Sequence, residues 1–111
     1  MNNHLSVWIN DQLVFECDAA TKLDDKQQAF LEKMERDMDR GFRMYGELIT
    51  APDTRQRATF VAMNLLKALK QGDTARTAVS CAYLNSRLPH AVEVHARDQA
   101  NRIHIEFIEQ H

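Results

Sequence analysis

The stretch Asp24–Ile49, DDKQQAFLEKMERDMDRGFRMYGELI, decides how the rest of the chain is read. Phe30, Met34, Met38, Phe42, Tyr45 and Ile49 recur three or four residues apart. That spacing lines side chains along one face of a helix, and it predicts a single amphipathic helix over the whole stretch. Lys26, Glu32, Lys33, Glu35, Arg36, Asp39 and Arg43 fall on the opposite face. Glu32–Arg36, Lys33–Asp37, Asp39–Arg43 and Arg43–Glu47 are opposite charges four apart. Each such pair adds only about 0.2–0.5 kcal/mol on an exposed helix, so packing of the apolar stripe has to supply most of the stability. Asp24 followed by Gln27 has the pattern of a capping box. Gly41 lies inside the expected helix, where glycine costs about 1 kcal/mol against alanine. Close approach of another backbone is the favoured reason for it.

Before this helix, Leu5, Val7 and Ile9 alternate with Ser6, Trp8 and Asn10, and Leu13, Phe15 and Cys17 alternate with Val14 and Glu16. Asn10-Asp11 between them is a turn signal, so the N-terminus reads as a β-hairpin. Asp18 to Leu23 is a connection. After the helix, Thr50-Ala51-Pro52 is a stop, since the residue before proline is pushed out of the α region. Asp53 with Gln56 caps a second helix with Ala58, Val61, Ala62, Leu65, Leu66 and Leu69 on its buried face. Gly72 fits a helix end, and Asp73 or Thr74 starts a third helix that stops at Leu88-Pro89. The alanines of these two helices suit a close antiparallel pair. The period then changes: Val92, Val94 and Ala96, then Ile103, Ile105 and Phe107, alternate with polar residues around a polar loop at 98–101. This is a half-buried hairpin. The expected fold is α+β, with three helices packed on a small antiparallel sheet made by the terminal hairpins. The alternative is a mainly α fold in which the N-terminal segment forms a further helix or an arm.

A chain of 111 residues, 44% hydrophobic and with only two prolines and three glycines, is expected to form one domain and is not a disordered class. Its net charge of −2 gives no overall pull toward nucleic acid or membrane. No apolar run approaches the length of a spanning helix, and no secretory signal pattern is visible. Cys17 and Cys81 lie far apart with no CxxC pattern. A disulfide between them is one option; the expectation is two reduced, packed thiols in a cytoplasm.

The segment Asp37-Met38-Asp39-Arg40-Gly41-Phe42-Arg43-Met44-Tyr45 gathers two acids, two arginines, a glycine and a tyrosine. Two carboxylates with an arginine suit acid–base work or phosphate binding. Asp37 and Asp39 are two apart, however, and do not share a helical face, so an ion-paired surface beside a core stripe is the plainer reading. The acidic helix running into Met38-Asp39-Arg40-Gly41-Phe42-Arg43-Met44, with a helical pair ending in Arg87-Leu88-Pro89, resembles a family of small uncharacterised bacterial proteins. The resemblance implies a bacterial cytoplasmic protein and carries over no catalytic residue.

His95 and His104 on the C-terminal hairpin, with Glu93, Glu106, His90 and His111 nearby in sequence, are a weak alternative metal site at no diagnostic spacing. Cys81 has no partner motif for a nucleophile. Trp8 and Tyr45 could serve a contact surface or the core. Arg55, Arg57, Lys67, Lys70 and Arg76 make a basic side without a phosphate loop or nucleic-acid motif. The expected function is a non-enzymatic protein-interaction module, with a homodimer as one form, using a helix face or strand edge. Its site residues would be Asp37, Asp39, Arg40, Gly41, Arg43 and Tyr45. No cofactor, nucleic acid or membrane partner is expected. The alternative is a regulator that binds a small molecule or metal, and an enzyme using the Asp37–Tyr45 segment ranks last.

Overall fold

The computed structural model describes residues 4–18, 22–100 and 102–110. Parts of the 18–23 and 98–101 connections, and His111, lie outside the described residues. The elements run β1 (His4–Ile9), β2 (Gln12–Asp18), α1 (Asp25–Asp39), β3 (Phe42–Met44), β4 (Glu47–Ile49), α2 (Thr54–Gln71), α3 (Thr74–Arg87), β5 (Ala91–Gln99) and β6 (Arg102–Glu109). The fold is α+β, with three helices against a four-stranded sheet built from the N- and C-terminal hairpins.

Both terminal hairpins are antiparallel, and they join through parallel pairing of β1 with β5, giving the order β2-β1-β5-β6. Asn10 and Asp11 both take positive φ, 49° and 68°, as a two-residue hairpin turn requires. The Asn10 side chain then accepts from the Asp98 amide at 3.0 Å, fastening the first hairpin to the second. Leu5, Val7, Cys17, Val94, Ala96 and Ile105 face the helices and are buried. Against them pack Met34 and Met38 of α1, Val61, Leu65 and Leu66 of α2, and Val79, Tyr83 and Leu84 of α3.

The local helix signals act as read. Asp24 and Asp53 form capping boxes with Gln27 and Gln56, Asp73 caps α3, and Gly72 ends α2 in the left-handed region. The single helix expected over 24–49 is corrected. α1 stops at Asp39, and residues 42–49 form a short hairpin pairing Phe42 with Ile49 and Met44 with Glu47. Gly41 causes the break. At φ +90° its amide donates to the Met38 carbonyl at 2.9 Å, and the chain leaves the helix axis. A Cβ at this position would meet the Ile49 carbonyl oxygen and lie 3.1 Å from Thr50 Cα. The close backbone approach is therefore present, at a helix exit and not mid-helix. Phe42 continues the core by stacking on Phe60, 4.3 Å between ring centres.

Candidate interaction surface

The ion pairs on α1 are tertiary. Glu35 accepts from Arg87 of α3 at 2.8 Å, and Asp39 from Arg57 of α2 at 2.8 Å. Among the described residues none of the four expected i,i+4 pairs forms a salt bridge. Arg43 and Glu47 could not pair along a helix, because they lie on facing strands of the small hairpin. Tyr83, only 3% exposed, packs under the Arg87 guanidinium, 5.7 Å from its ring centre. Burial pushes the Tyr83 hydroxyl above its ordinary pKa, against the lowering pull of Arg87. The hydrogen bond to Glu35 raises the Arg87 pKa in turn. Arg57 and Arg87 line one cleft with Glu35, Asp39 and Tyr83, and each already answers a carboxylate, which makes the group a clamp between helices.

The expected site residues therefore separate. Asp39 belongs to this clamp. Asp37 lines a different cleft, of about 220 Å³, with Lys33 and Lys67. Arg40 caps α1, Gly41 makes the turn, and Arg43 is exposed on β3. Tyr45 stands at the tip of the small hairpin, 55% exposed, with its ring 6.4 Å from that of His104. They do not converge on one point.

His95 and His104 do share the outer sheet face. They lie diagonally, since His95 pairs with Glu106 and Arg97 with His104. His95 donates to Glu93 at 2.6 Å and stacks on Trp8 with ring centres 5.5 Å apart. Among the described residues no group of three His, Cys, Asp or Glu side chains is arranged to hold a metal ion. Trp8 thus lies on the outer face, and its Nε1 is buried without a hydrogen-bond partner among the described residues.

The expectation of two reduced thiols is also corrected. Cys17 of β2 and Cys81 of α3 are joined as a disulfide, with Cα atoms 5.5 Å apart. Sequence reasoning put each on a core-facing position but had no signal that β2 and α3 are neighbours.

Beside this bond lies a groove of about 530 Å³ between β2 and α3. Phe15, Leu69, Ala78 and Ala82 give it apolar walls, and the exposed Glu16 and Asp18 also line it. No lysine or arginine among the described residues does so. The groove runs along a sheet edge, because among the described residues β2 pairs only with β1 in the sheet. A register shift opposite Val7 and Trp8 leaves Val14 without a β1 partner, while Phe15 to Asp18 stay in regular register. Leu13 and Val14 are 50% and 45% exposed. The other edge, β6, is attended by Tyr45 over His104 and by Arg55, which bonds Glu109 at 3.0 Å.

The chain matches no family model, no curated protein and no solved structure. Among the described residues no helix is long and apolar enough to cross a membrane.

Proposed function

We propose that this chain is a protein-interaction module whose contact element is the open edge of β2. The observation that carries this reading is the edge itself. β2, Gln12–Asp18, contains no lysine, arginine or proline; its bulge at Val14 bends the edge only there, Phe15 to Cys17 stay in regular register, and Leu13 and Val14 are exposed. The dispersal of Asp37, Asp39, Arg40, Arg43 and Tyr45 favours this reading over an enzyme, because acid–base chemistry needs its groups within hydrogen-bond reach of one substrate.

A photo-crosslinking residue at Val14, expressed in the native bacterium, tests it. A discrete adduct at Val14, absent when the residue is placed at Arg55 beside β6 on the opposite edge of the sheet, is expected. No adduct at Val14 under conditions that label a known complex would remove the reading. Native mass spectrometry of untagged protein separates the self-associated form, at doubled mass, from a hetero-partner.

A small-molecule function is the second reading, favoured by the groove beside the disulfide, whose volume falls in the range of ligand sites. Extra mass per chain in the same spectrum would support it. The bacterial setting suggested by the Met38–Met44 motif belongs to the same proposal. The cytoplasmic setting was expected from that resemblance and from free thiols; the Cys17–Cys81 bond removes the second support and favours an oxidising compartment instead. Trapping thiols with an alkylating agent at the moment of lysis decides between them.

A further inference from the structure

We infer that the groove between β2 and α3 receives an extended peptide of another protein, added as a strand beside β2, with apolar residues at alternate positions and basic residues between them. This rests on the reading of β2 as a contact edge and goes on to name what the edge binds.

Three observations meet at this place. First, β2 ends the sheet among the described residues, so alternate backbone N–H and C=O groups along Phe15 to Cys17 point away from β1 and can continue the ladder. Second, the space beside that edge is a hollow walled by Phe15, Leu69, Ala78 and Ala82. An added strand projects every second side chain to one face, about 6.6 Å apart, so its apolar residues can enter the hollow while its backbone pairs with β2. The small alanines of α3 leave that room. Third, the charged residues lining the groove are both acids, and Glu16 has no ion pair among the described residues. The intervening positions of the added strand therefore suit lysine or arginine.

A second copy of this chain fits less well. Its own β2 would bring Phe15 and Cys17 on the inward face, and both are committed to its own core, Cys17 through the disulfide. Pairing two β2 edges would leave both hollows unfilled. A segment whose inward side chains are free is what the groove can take.

The test uses the full chain, oxidised and labelled with nitrogen-15, titrated with an acetylated heptapeptide in which lysine alternates with valine and leucine. The expected result is a saturable shift of the Phe15, Glu16, Ala78 and Ala82 amides, with slowed hydrogen exchange along Phe15 to Cys17. Ala78→Trp, which fills the hollow, should weaken binding by about tenfold or more. Glu16→Lys should weaken it by about two- to fivefold, as loss of one exposed charge pair does. Each variant is first checked for an unchanged melting temperature. Binding that survives Ala78→Trp unaltered overturns the inference. So do shifts confined to Trp8 and His95 on the outer face, and so does a protein that doubles in mass with its β2 amides protected and peptide excluded. No shift at millimolar peptide, with the Val14 adduct still forming in cells, overturns the peptide class and leaves the interaction module standing. Loss of both removes both.

Discussion

Tyr45 sits at φ +53° in the two-residue turn of the small hairpin, followed by Gly46 at φ +80°. A residue with a Cβ loses roughly 1–2 kcal/mol in that left-handed region, and asparagine tolerates it better than a bulky aromatic. The ring regains part of this through His104, but an exposed contact at 6.4 Å falls at the weak end of aromatic pairs, at or below about 0.5 kcal/mol. The strain therefore wins, and Tyr45→Asn should raise stability by about 0.5–1 kcal/mol in a urea melt. An unchanged or lowered midpoint would mean that the His104 contact is worth more than its geometry suggests. Gly41 shows the opposite case. Its φ of +90° and the nearby Ile49 carbonyl leave no room for a Cβ. Gly41→Ala should cost about 2–3 kcal/mol in the same melt, and a loss under 0.5 kcal/mol would show that the 40–50 turn relaxes freely.

The elements that could be read from the chain are those set by neighbours in sequence. Asp53 with Gln56, Gly72 and Leu88-Pro89 bracket α2 and α3 because caps and stops are local chemistry. The 42–49 hairpin was hidden because its cross-strand partners imitate a helix. Phe42 and Ile49 are seven apart along the chain, two helical turns, yet they face one another across a two-residue turn. Gly41 and Gly46, together at the two breaks, were the signal that outweighs the apolar spacing. The seam between α1 and α3 was equally out of reach, since Glu35 meets Arg87 only after both helices dock. That seam has a pH consequence through Tyr83. Burial raises its folded-state pKa above the unfolded value near 10, so the native state holds the proton longer. Its contribution is complete below about pH 10 and is lost as pH rises through the folded pKa. Melting midpoints measured from pH 8 to 11 should therefore fall more steeply for the wild type than for Tyr83→Phe. Parallel curves would show that the hydroxyl reaches water and that burial does not govern its titration.

At the scale of the whole molecule, the sheet order and the disulfide were the least legible features, for one reason. Which hairpin edge meets which is decided by packing between segments far apart, and β1 lies beside β5 across a connection that holds β2, all three helices and the small hairpin. Cys17 and Cys81 alternate correctly with core residues in their own elements, but their contact exists only in the assembled sheet-and-helix sandwich. The bond ties the outermost strand to the helical layer across 64 positions of sequence. Closing a loop of that length in the unfolded chain removes entropy worth about 4 kcal/mol by the chain-entropy estimate, within the usual range of roughly 2–5 kcal/mol for a native disulfide. Reduction, or the Cys17→Ser/Cys81→Ser double variant, should then lower unfolding free energy by about 2–4 kcal/mol. The loss should not be even. Among the described residues β2 has no sheet partner beyond β1, so hydrogen exchange at Phe15 to Cys17 should accelerate more than at Val94 or Leu65. A uniform acceleration would place the bond's effect in the unfolded chain alone, whereas local opening of β2 would make the covalent link the feature that keeps the contact edge and its groove in shape.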